Sequence, residues 1–348
     1  MLYKATVIVG IGVGKKGITM NGIEKLCLRY GLGELCEEPQ EVVGGLLHKM
    51  YRVKTKNGEY AVKRLNPEIM KRAKAMQNMI SSEKVARAAC GDIPVIAAKE
   101  WNGEQLLCLE GSYYMIFDWL DGASVYPPQI TKKHCKSMGQ VLGKLHAKQL
   151  CVDTVEKESG IRSLIPWETY LCEAKKQQTS WLAVYEEMLP QLLHWDKQVT
   201  QAIEQLVKEQ VISHRDLDPK NVLWREETPY IIDWEAAGYV NPDKELAEVV
   251  FYWAADTNGT LEQTKVQALL AGYTEYRSVA DADWNVVLAC SCEGMLGWLE
   301  YCVKRALGME IGDERERKQG VEQMLGTMKE LRRWAEQTEQ LKHWLTEA

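Results

Sequence analysis

Val211-Ile-Ser-His-Arg-Asp-Leu-Asp-Pro-Lys-Asn-Val-Leu-Trp224, followed by Ile231-Ile-Asp-Trp-Glu235, is the most informative stretch of the chain. Val211-Ile-Ser213 reads as a strand that delivers His214-Arg215-Asp216 into a loop. Asn221 closes the loop, and a second strand follows. Glu226-Glu227-Thr228-Pro229 reads as a turn, after which a short strand, Tyr230 to Ile232, presents Asp233 at its end. Each polar residue taken alone is an ordinary turn or cap residue. Together, at this spacing, they supply what phosphoryl transfer requires. Asp216 is placed to accept a proton from an attacking hydroxyl. Asn221 and Asp233 offer the hard oxygen ligands that magnesium takes. His214 reads as a brace for the loop rather than a reactant.

Upstream the pattern is β-like. Val42-Val43 precede Gly44-Gly45, then Leu47, Lys49, Tyr51 and Val53 alternate with other residues up to a Lys56-Asn57-Gly58 turn. Tyr60-Ala-Val-Lys63 resumes a strand. Residues 67–90 read as one helix, with Pro67 near its start and Gly91 just past its end. Two further strands are expected at 106–109 and 113–119. Pro127-Pro128 then marks a change of character, and helices dominate from Thr131 onward: one marked by Met138, Val141, Leu142 and Leu145, two or more within 167–210, and others at 244–255, 260–274, 284–307 and 313–346.

These stretches resemble the aminoglycoside phosphotransferase and choline kinase superfamily, which shares the protein-kinase fold. That family shows H-G-D-x-H-P-x-N followed by I-D-W/F-E; here the residues are His214-Arg-Asp-Leu-Asp-Pro-Lys-Asn221 and Ile232-Asp-Trp-Glu235. Arg215 replaces Gly, Asp218 stands where His is commoner, and Pro242-Asp-Lys-Glu245-Leu-Ala247 departs from Pro-x-x-Asp-Leu-Ala by one methylene. The resemblance implies an α+β, two-lobe fold: a small antiparallel sheet with one main helix, then a larger helical lobe. It implies an N-terminal extension at 1–20, a nucleotide-binding lobe at 21–119 and a helical lobe at 120–348 that holds the catalytic loop 211–235.

It further implies roles. Gly44 and Gly45 would cover the nucleotide phosphates, Lys63 would contact them, and Glu83 would be the ion-pair partner of Lys63. Asp118, Trp119 and Leu120 would form the hinge, whose backbone groups read the purine edge. Asp216 would be the catalytic base, with Asn221 and Asp233 holding Mg2+. The expected reaction is transfer of the γ-phosphate of ATP or GTP to a hydroxyl of a small molecule, expected to be cationic, such as an aminoglycoside or an amino alcohol. Candidates for its recognition are Glu293, Trp298, Glu300 and Tyr301, set against the plainer reading of a helix with a mixed core. His146 is read as packed rather than catalytic.

Composition narrows the alternatives. A formal net charge of -6 lacks the basic excess of a nucleic-acid binder. The ten cysteines contain no C-x-x-C pair, and reduced thiols buried in apolar helical stretches, as at Cys135, Cys172 and Cys302, are expected of a cytoplasmic protein. No apolar run approaches the roughly 18–20 residues of a membrane span. Gly12-Val-Gly-Lys-Lys-Gly17 matches G-x-G-x-x-G without a βαβ context. The expected state is a monomer or homodimer. Two rival readings are a kinase acting on a protein, against which stands the lack of D-F-G and A-P-E signatures, and a non-catalytic nucleotide-binding protein of the same fold.

Overall fold

The computed structural model describes residues 19–42, 48–309 and 313–346. The glycine pair Gly44-Gly45 and the G-x-G-x-x-G match at 12–17 lie outside them. The first helix, α1 (Thr19–Arg29), turns Ile23, Leu26 and Cys27 onto a sheet. That i, i+3, i+4 spacing puts the three side chains on one face.

The sheet is antiparallel and five-stranded. It consists of β1 (Gln40–Val42), β2 (Lys49–Thr55), β3 (Gly58–Arg64), β4 (Leu107–Leu109) and β5 (Ser112–Asp118), in the order β1-β2-β3-β5-β4. Tyr51, Val53, Tyr60, Val62 and Ile116 face α1 in a common cluster. Thr55 pairs with Gly58, so Lys56-Asn57 forms the tip of the hairpin, and Gly58 takes a positive φ of 153° just after it.

The helix expected over 67–90 is two helices, α2 (Pro67–Met70) and α3 (Ala75–Ala89). Asn66 caps the first by accepting the Glu68 amide, with Pro67 at its first position. Lys71 to Lys74 are all exposed. With nothing to bury there, a short helix gains too little from packing to continue. α3 carries Val85, Ala86 and Ala89 into the main core, beside Ile212, Leu217, Ile231 and Trp234 of the second half of the chain.

Beyond β5 the chain is largely helical: α4 (Lys132–Ala147), α5 (Trp167–Lys176), α6 (Leu182–Leu206), α7 (Pro242–Trp253), α8 (Gln263–Thr274), α9 (Trp284–Cys290), α10 (Glu293–Ala306) and α11 (Glu314–Thr346). Two small ladders interrupt it after α6. One pairs β6 (Val211–Ser213) with β9 (Gly238–Val240), and the other pairs β7 (Val222–Arg225) with β8 (Thr228–Ile231). The strand expected to begin at Tyr230 therefore begins at Thr228, and Glu226 makes the turn with a φ of 55°. α4 and α8 pack backbone to backbone: a Cβ at Gly139 would lie 2.0 Å from the Leu269 carbonyl oxygen, and one at Gly272 would lie 2.1 Å from that of Lys136.

The helix expected over 284–307 breaks at Ser291-Cys292, where the Ser291 hydroxyl donates to the Leu288 carbonyl. Contrary to expectation, this stretch, Trp284–Ala306, is long and apolar enough by length and composition to cross a membrane. Half of it is buried inside the protein, with Leu296, Leu299, Cys302 and Val303 in a helical core shared with α5, α6 and α11. All ten cysteines are free thiols. Cys135 and Cys302 are buried as expected; Cys172 is exposed, because it lies on the outer face of α5 opposite Tyr170 and Ala174.

One backbone seam joins the sheet-bearing half to the helical half, and a second ties the segment after β5 to β7. Ile231 donates to the Pro94 carbonyl at 2.8 Å, and its own carbonyl accepts the Ile96 amide at 3.0 Å. Ala123 and Trp224 exchange a pair of bonds at 3.1 and 2.9 Å. The first of these seams ties β8 to the segment after α3, and Lys63 of β3 reaches the turn after β8.

Candidate active site

β6 ends at Ser213, and the loop after it is held by buried polar contacts. His214 is fully buried and packs edge-on against Trp234 at 4.8 Å. Its Nδ1 accepts the Asp216 amide at 3.3 Å, so the ring proton sits on Nε2, which donates to the Ile232 carbonyl at 3.0 Å. Burial pushes the imidazole below its usual pKa and keeps it neutral. Both ring nitrogens are thus spent on the two loops that carry Asp216 and Asp233.

Arg215 adopts a left-handed backbone, φ 67°, and its amide donates to Glu245 Oε1 of α7 at 2.6 Å. Glu245 is 1% exposed, and its other oxygen meets His146 Nε2 at 2.8 Å. Burial opposes its charge, but the hydrogen bonds from His146, Ser213 and Arg215 prevail and lower its pKa. His146 in turn reaches the Tyr273 hydroxyl at 2.8 Å. His146 is packed in this network at 0% exposure and has no access to a substrate.

Asp216 then emerges, part-exposed. The Asn221 carboxamide donates to the Asp216 carbonyl at 2.8 Å and to its Oδ2 at 2.9 Å. Two acceptors on one side fix the orientation of the amide and turn its oxygen the other way. Lys220 Nζ stands 3.1 Å from Asp216 Oδ2. Asp218 caps the Pro219–Asn221 turn by accepting the Lys220 amide at 2.8 Å, and burial raises its pKa. The departure from His at 218 therefore serves the turn.

The Asn221 carbonyl accepts the Ile232 amide at 3.0 Å, which brings Asp233 next to this loop. Asp233 is left-handed, φ 60° and ψ 64°. Its Oδ1 lies 2.8 Å from Lys63 Nζ of β3, and Glu235 Oε2 lies 2.9 Å from the same nitrogen. Burial works against the lysine's charge, yet Asp233 and Glu235 raise its pKa overall. Partial burial opposes the charge of Glu235 as well, but His48 and Lys63 bring its pKa down to about 2.

The expected Lys63–Glu83 ion pair is not formed. Glu83 Oε2 instead accepts the Ala98 amide at 2.7 Å, and burial pushes its pKa up to about 7 despite the nearby Lys63 charge. Three carboxylates lie within electrostatic reach of Lys63, and the two on the Asp233 turn hold it.

At the expected hinge, Asp118 is exposed and pairs with Lys99 at 2.8 Å. The Trp119 amide donates to the Glu59 carbonyl at 3.0 Å, and its indole lies beneath the Arg52 guanidinium at 4.6 Å. The Trp119 N–H is therefore engaged within the protein, whereas the Leu120 amide has no hydrogen bond among the described residues. The acceptor candidates do not form one acidic box. Glu293 pairs with Lys244 at 3.0 Å, and Lys244 also meets Glu248. Glu300 accepts the Tyr170 hydroxyl at 2.6 Å and pairs with Lys304. Trp298 and Tyr301 lie 5.4 Å apart, centroid to centroid.

The donor set fits a magnesium–nucleotide. Among the described residues no group of three or more His, Cys, Asp or Glu side chains could hold a metal by itself. Magnesium bound with a nucleotide does not require one: it takes one or two protein oxygens and completes its octahedron with phosphate and water. The Asn221 amide oxygen, turned away from Asp216, and the Asp233 carboxylate would supply two such oxygens.

Residues 38–280 match the phosphotransferase enzyme family. The chain belongs to that family. Curated relatives include the homoserine kinase of Nitrobacter hamburgensis, 27% identical over 53% of this chain and 55% of the relative, and that of Granulibacter bethesdensis, 26% identical over 56% and 58%. The chain spans about half the length of the curated relatives it matches. Among solved structures, spectinomycin phosphotransferase APH(9)-Ia, in complex with ADP and spectinomycin, aligns over 93% of this chain and 100% of its own, with a TM-score of 0.68 and 16% identity. The Plasmodium vivax ethanolamine kinase aligns over 88% and 86%, with a TM-score of 0.58 and 14% identity. These likenesses carry the fold, which is that of the protein-kinase-like phosphotransferases.

Within this family member, three neighbours of the expected site residues have no role in the sequence reading. Lys220 lies inside the decisive stretch, and Glu235 lies within the family pattern. His48 is a lone histidine with no local signal; only the tertiary structure brings it to Glu235.

Proposed function

We propose that the protein transfers the γ-phosphate of ATP or GTP to a hydroxyl of a small molecule bearing an amino group, with Asp216 as the base. The observation that carries this reading is the juxtaposition of two pairs, Asp216 with Asn221 and Lys63 with Asp233, through the Asn221–Ile232 backbone bond. The relatives named homoserine kinase and the fold neighbour named ethanolamine kinase favour an amino alcohol as acceptor. The lysines beside Glu293 and Glu300 favour an acceptor that is not strongly cationic, because each carboxylate there is already countered. We divide the chain at 119/120, with the nucleotide held between the two parts by Lys63 above and Asp233 below.

In this mechanism the acceptor hydroxyl attacks the γ-phosphorus. A new O–P bond forms as the bond from phosphorus to the β–γ bridging oxygen breaks. The hydroxyl proton passes to Asp216, whose carboxylate is held in place by Asn221. Lys63 and Lys220 offset charge on the phosphate oxygens. Mg2+ held by Asn221 and Asp233 would supply Lewis-acid neutralisation of those oxygens when bound. Glu83 stays out of this chemistry.

The test is a coupled assay of ADP and GDP release across homoserine, ethanolamine, choline, aminoglycosides and sugars. Acceptor-dependent release with an amino alcohol supports the reading. Nucleotide binding with no release across the panel would support the non-catalytic alternative, and transfer to a protein but to no small molecule would support the protein-kinase one.

A further inference from the structure

His48 is a buried histidine, 7% exposed, immediately before β2 and directly after the segment that contains Gly44 and Gly45. Its Nδ1 accepts the backbone amide of Asn66 at 3.0 Å. Since an amide can only donate, Nδ1 is the acceptor nitrogen and, in the neutral ring, Nε2 carries the proton. That Nε2 has no hydrogen-bond partner among the described residues. A buried donor left unpaired is costly, and such atoms are rare. The group it approaches is Glu235 Oε2, at 3.4 Å, within ion-pair reach but longer than a formed hydrogen bond. The same carboxylate oxygen lies 2.9 Å from Lys63 Nζ.

We infer that His48 is a positioning residue for nucleotide binding: through Nε2 it steadies Glu235, and Glu235 in turn steers the Lys63 ammonium toward Asp233. The inference rests on the phosphotransferase reading of the site. His48 connects three things at once. It follows the glycine segment, it is pinned to Asn66 at the end of β3, and it faces the turn that carries Asp233. Without it Lys63 still has Asp233, but Glu235 loses one of its two positively polarised neighbours and the ammonium loses a fixed anchor.

Two substitutions separate this role from simple support of the β3–α2 corner. His48→Asn places a carboxamide oxygen where Nδ1 stands and keeps the Asn66 bond, but does not reach Glu235. His48→Gln reaches Glu235 with its N–H and gives up Asn66. Titration with a fluorescent ATP analogue plus Mg2+ needs no acceptor and reads the site directly. The inference expects His48→Asn to weaken nucleotide binding by about ten-fold, the effect of one lost contact to a charged group. It expects His48→Gln to stay within about three-fold of wild type. In Glu235→Gln, the further loss from adding His48→Asn should be small, because both act on one contact. The reverse ranking of the Asn and Gln variants would assign His48 to the corner alone and overturn the inference. Wild-type protein that binds no nucleotide would instead overturn the phosphotransferase reading, a distinct outcome.

Discussion

Lys63 Nζ stands 2.8 Å from Asp233 Oδ1, and the two residues are 170 positions apart in the chain. The lysine comes from the middle of the sheet and the aspartate from a strained turn among the helices. Replacing Lys63 with Met leaves the exposed Asp233 carboxylate and the part-buried Glu235 carboxylate without the ammonium between them. Nucleotide affinity should fall by about ten-fold or more, consistent with loss of a charge-assisted contact. Titration with a fluorescent nucleotide reads this, and an unchanged affinity would remove Lys63 from the site.

Asn221 is held by its amino group and offers its oxygen. Asn221→Ala should therefore raise the Mg2+ concentration needed for half-maximal activity more than it changes nucleotide binding measured without metal. Activity followed as a function of Mg2+ checks it. A Mg2+ dependence identical to wild type would mean that the carboxamide only braces Asp216.

Glu83 carries a pKa raised from 4.5 to about 7 by burial. A raised acid favours the folded state while protonated. Its contribution is complete below about pH 4.5 and is lost as pH rises through about 7. Glu83→Gln keeps an acceptor for the Ala98 amide and removes the buried charge. Its stability should match wild type at pH 4 and exceed it by about 3 kcal/mol at pH 8, the shift converted at 1.36 kcal/mol per unit. Urea denaturation at the two pH values checks this. A variant less stable than wild type at pH 8, with weakened nucleotide binding, would restore the Lys63–Glu83 pair.

Glu245 anchors the catalytic loop through the Arg215 amide and is itself buried against His146. Glu245→Ala leaves the Arg215 amide unsatisfied and His146 Nε2 with only the Ser213 hydroxyl, and should cost about 3 kcal/mol of stability, as for other broken buried pairs. Glu245→Gln retains an acceptor for the amide and should cost less. Urea unfolding of both variants measures the difference; equal losses would show that the amide bond contributes nothing beyond packing.

Much of this site was readable because its chemistry is local. Asp216, Asn221 and Asp233 lie within 18 positions, and the apolar runs between them fix how the loops turn. Lys63 was readable from its strand. Its partner was not, because the choice among Glu83, Asp233 and Glu235 depends on how α3 and the Asp233 turn pack, and no spacing encodes that. The amide of Ala98 takes Glu83 away from the lysine. His48 and Glu245 were opaque as functional residues for the same reason, since their partners come from segments distant in the chain. The elements were legible where apolar periodicity was strong, as in α4 and α11. They were misjudged where a helix had nothing to bury, at Lys71–Lys74, or where a side chain took up backbone bonding, at Ser291.

The central claim is that Asp216 takes the acceptor's proton while Lys63, Asn221 and Asp233 hold the metal–nucleotide. The most direct test is single-turnover transfer from γ-labelled ATP to the acceptor found in the release screen, comparing wild type with Asp216→Asn at saturating nucleotide. The account predicts a transfer rate lower by about 10²–10⁴-fold, the range for loss of a general base, with nucleotide affinity within about three-fold of wild type. A variant that transfers phosphate at the wild-type rate would contradict it.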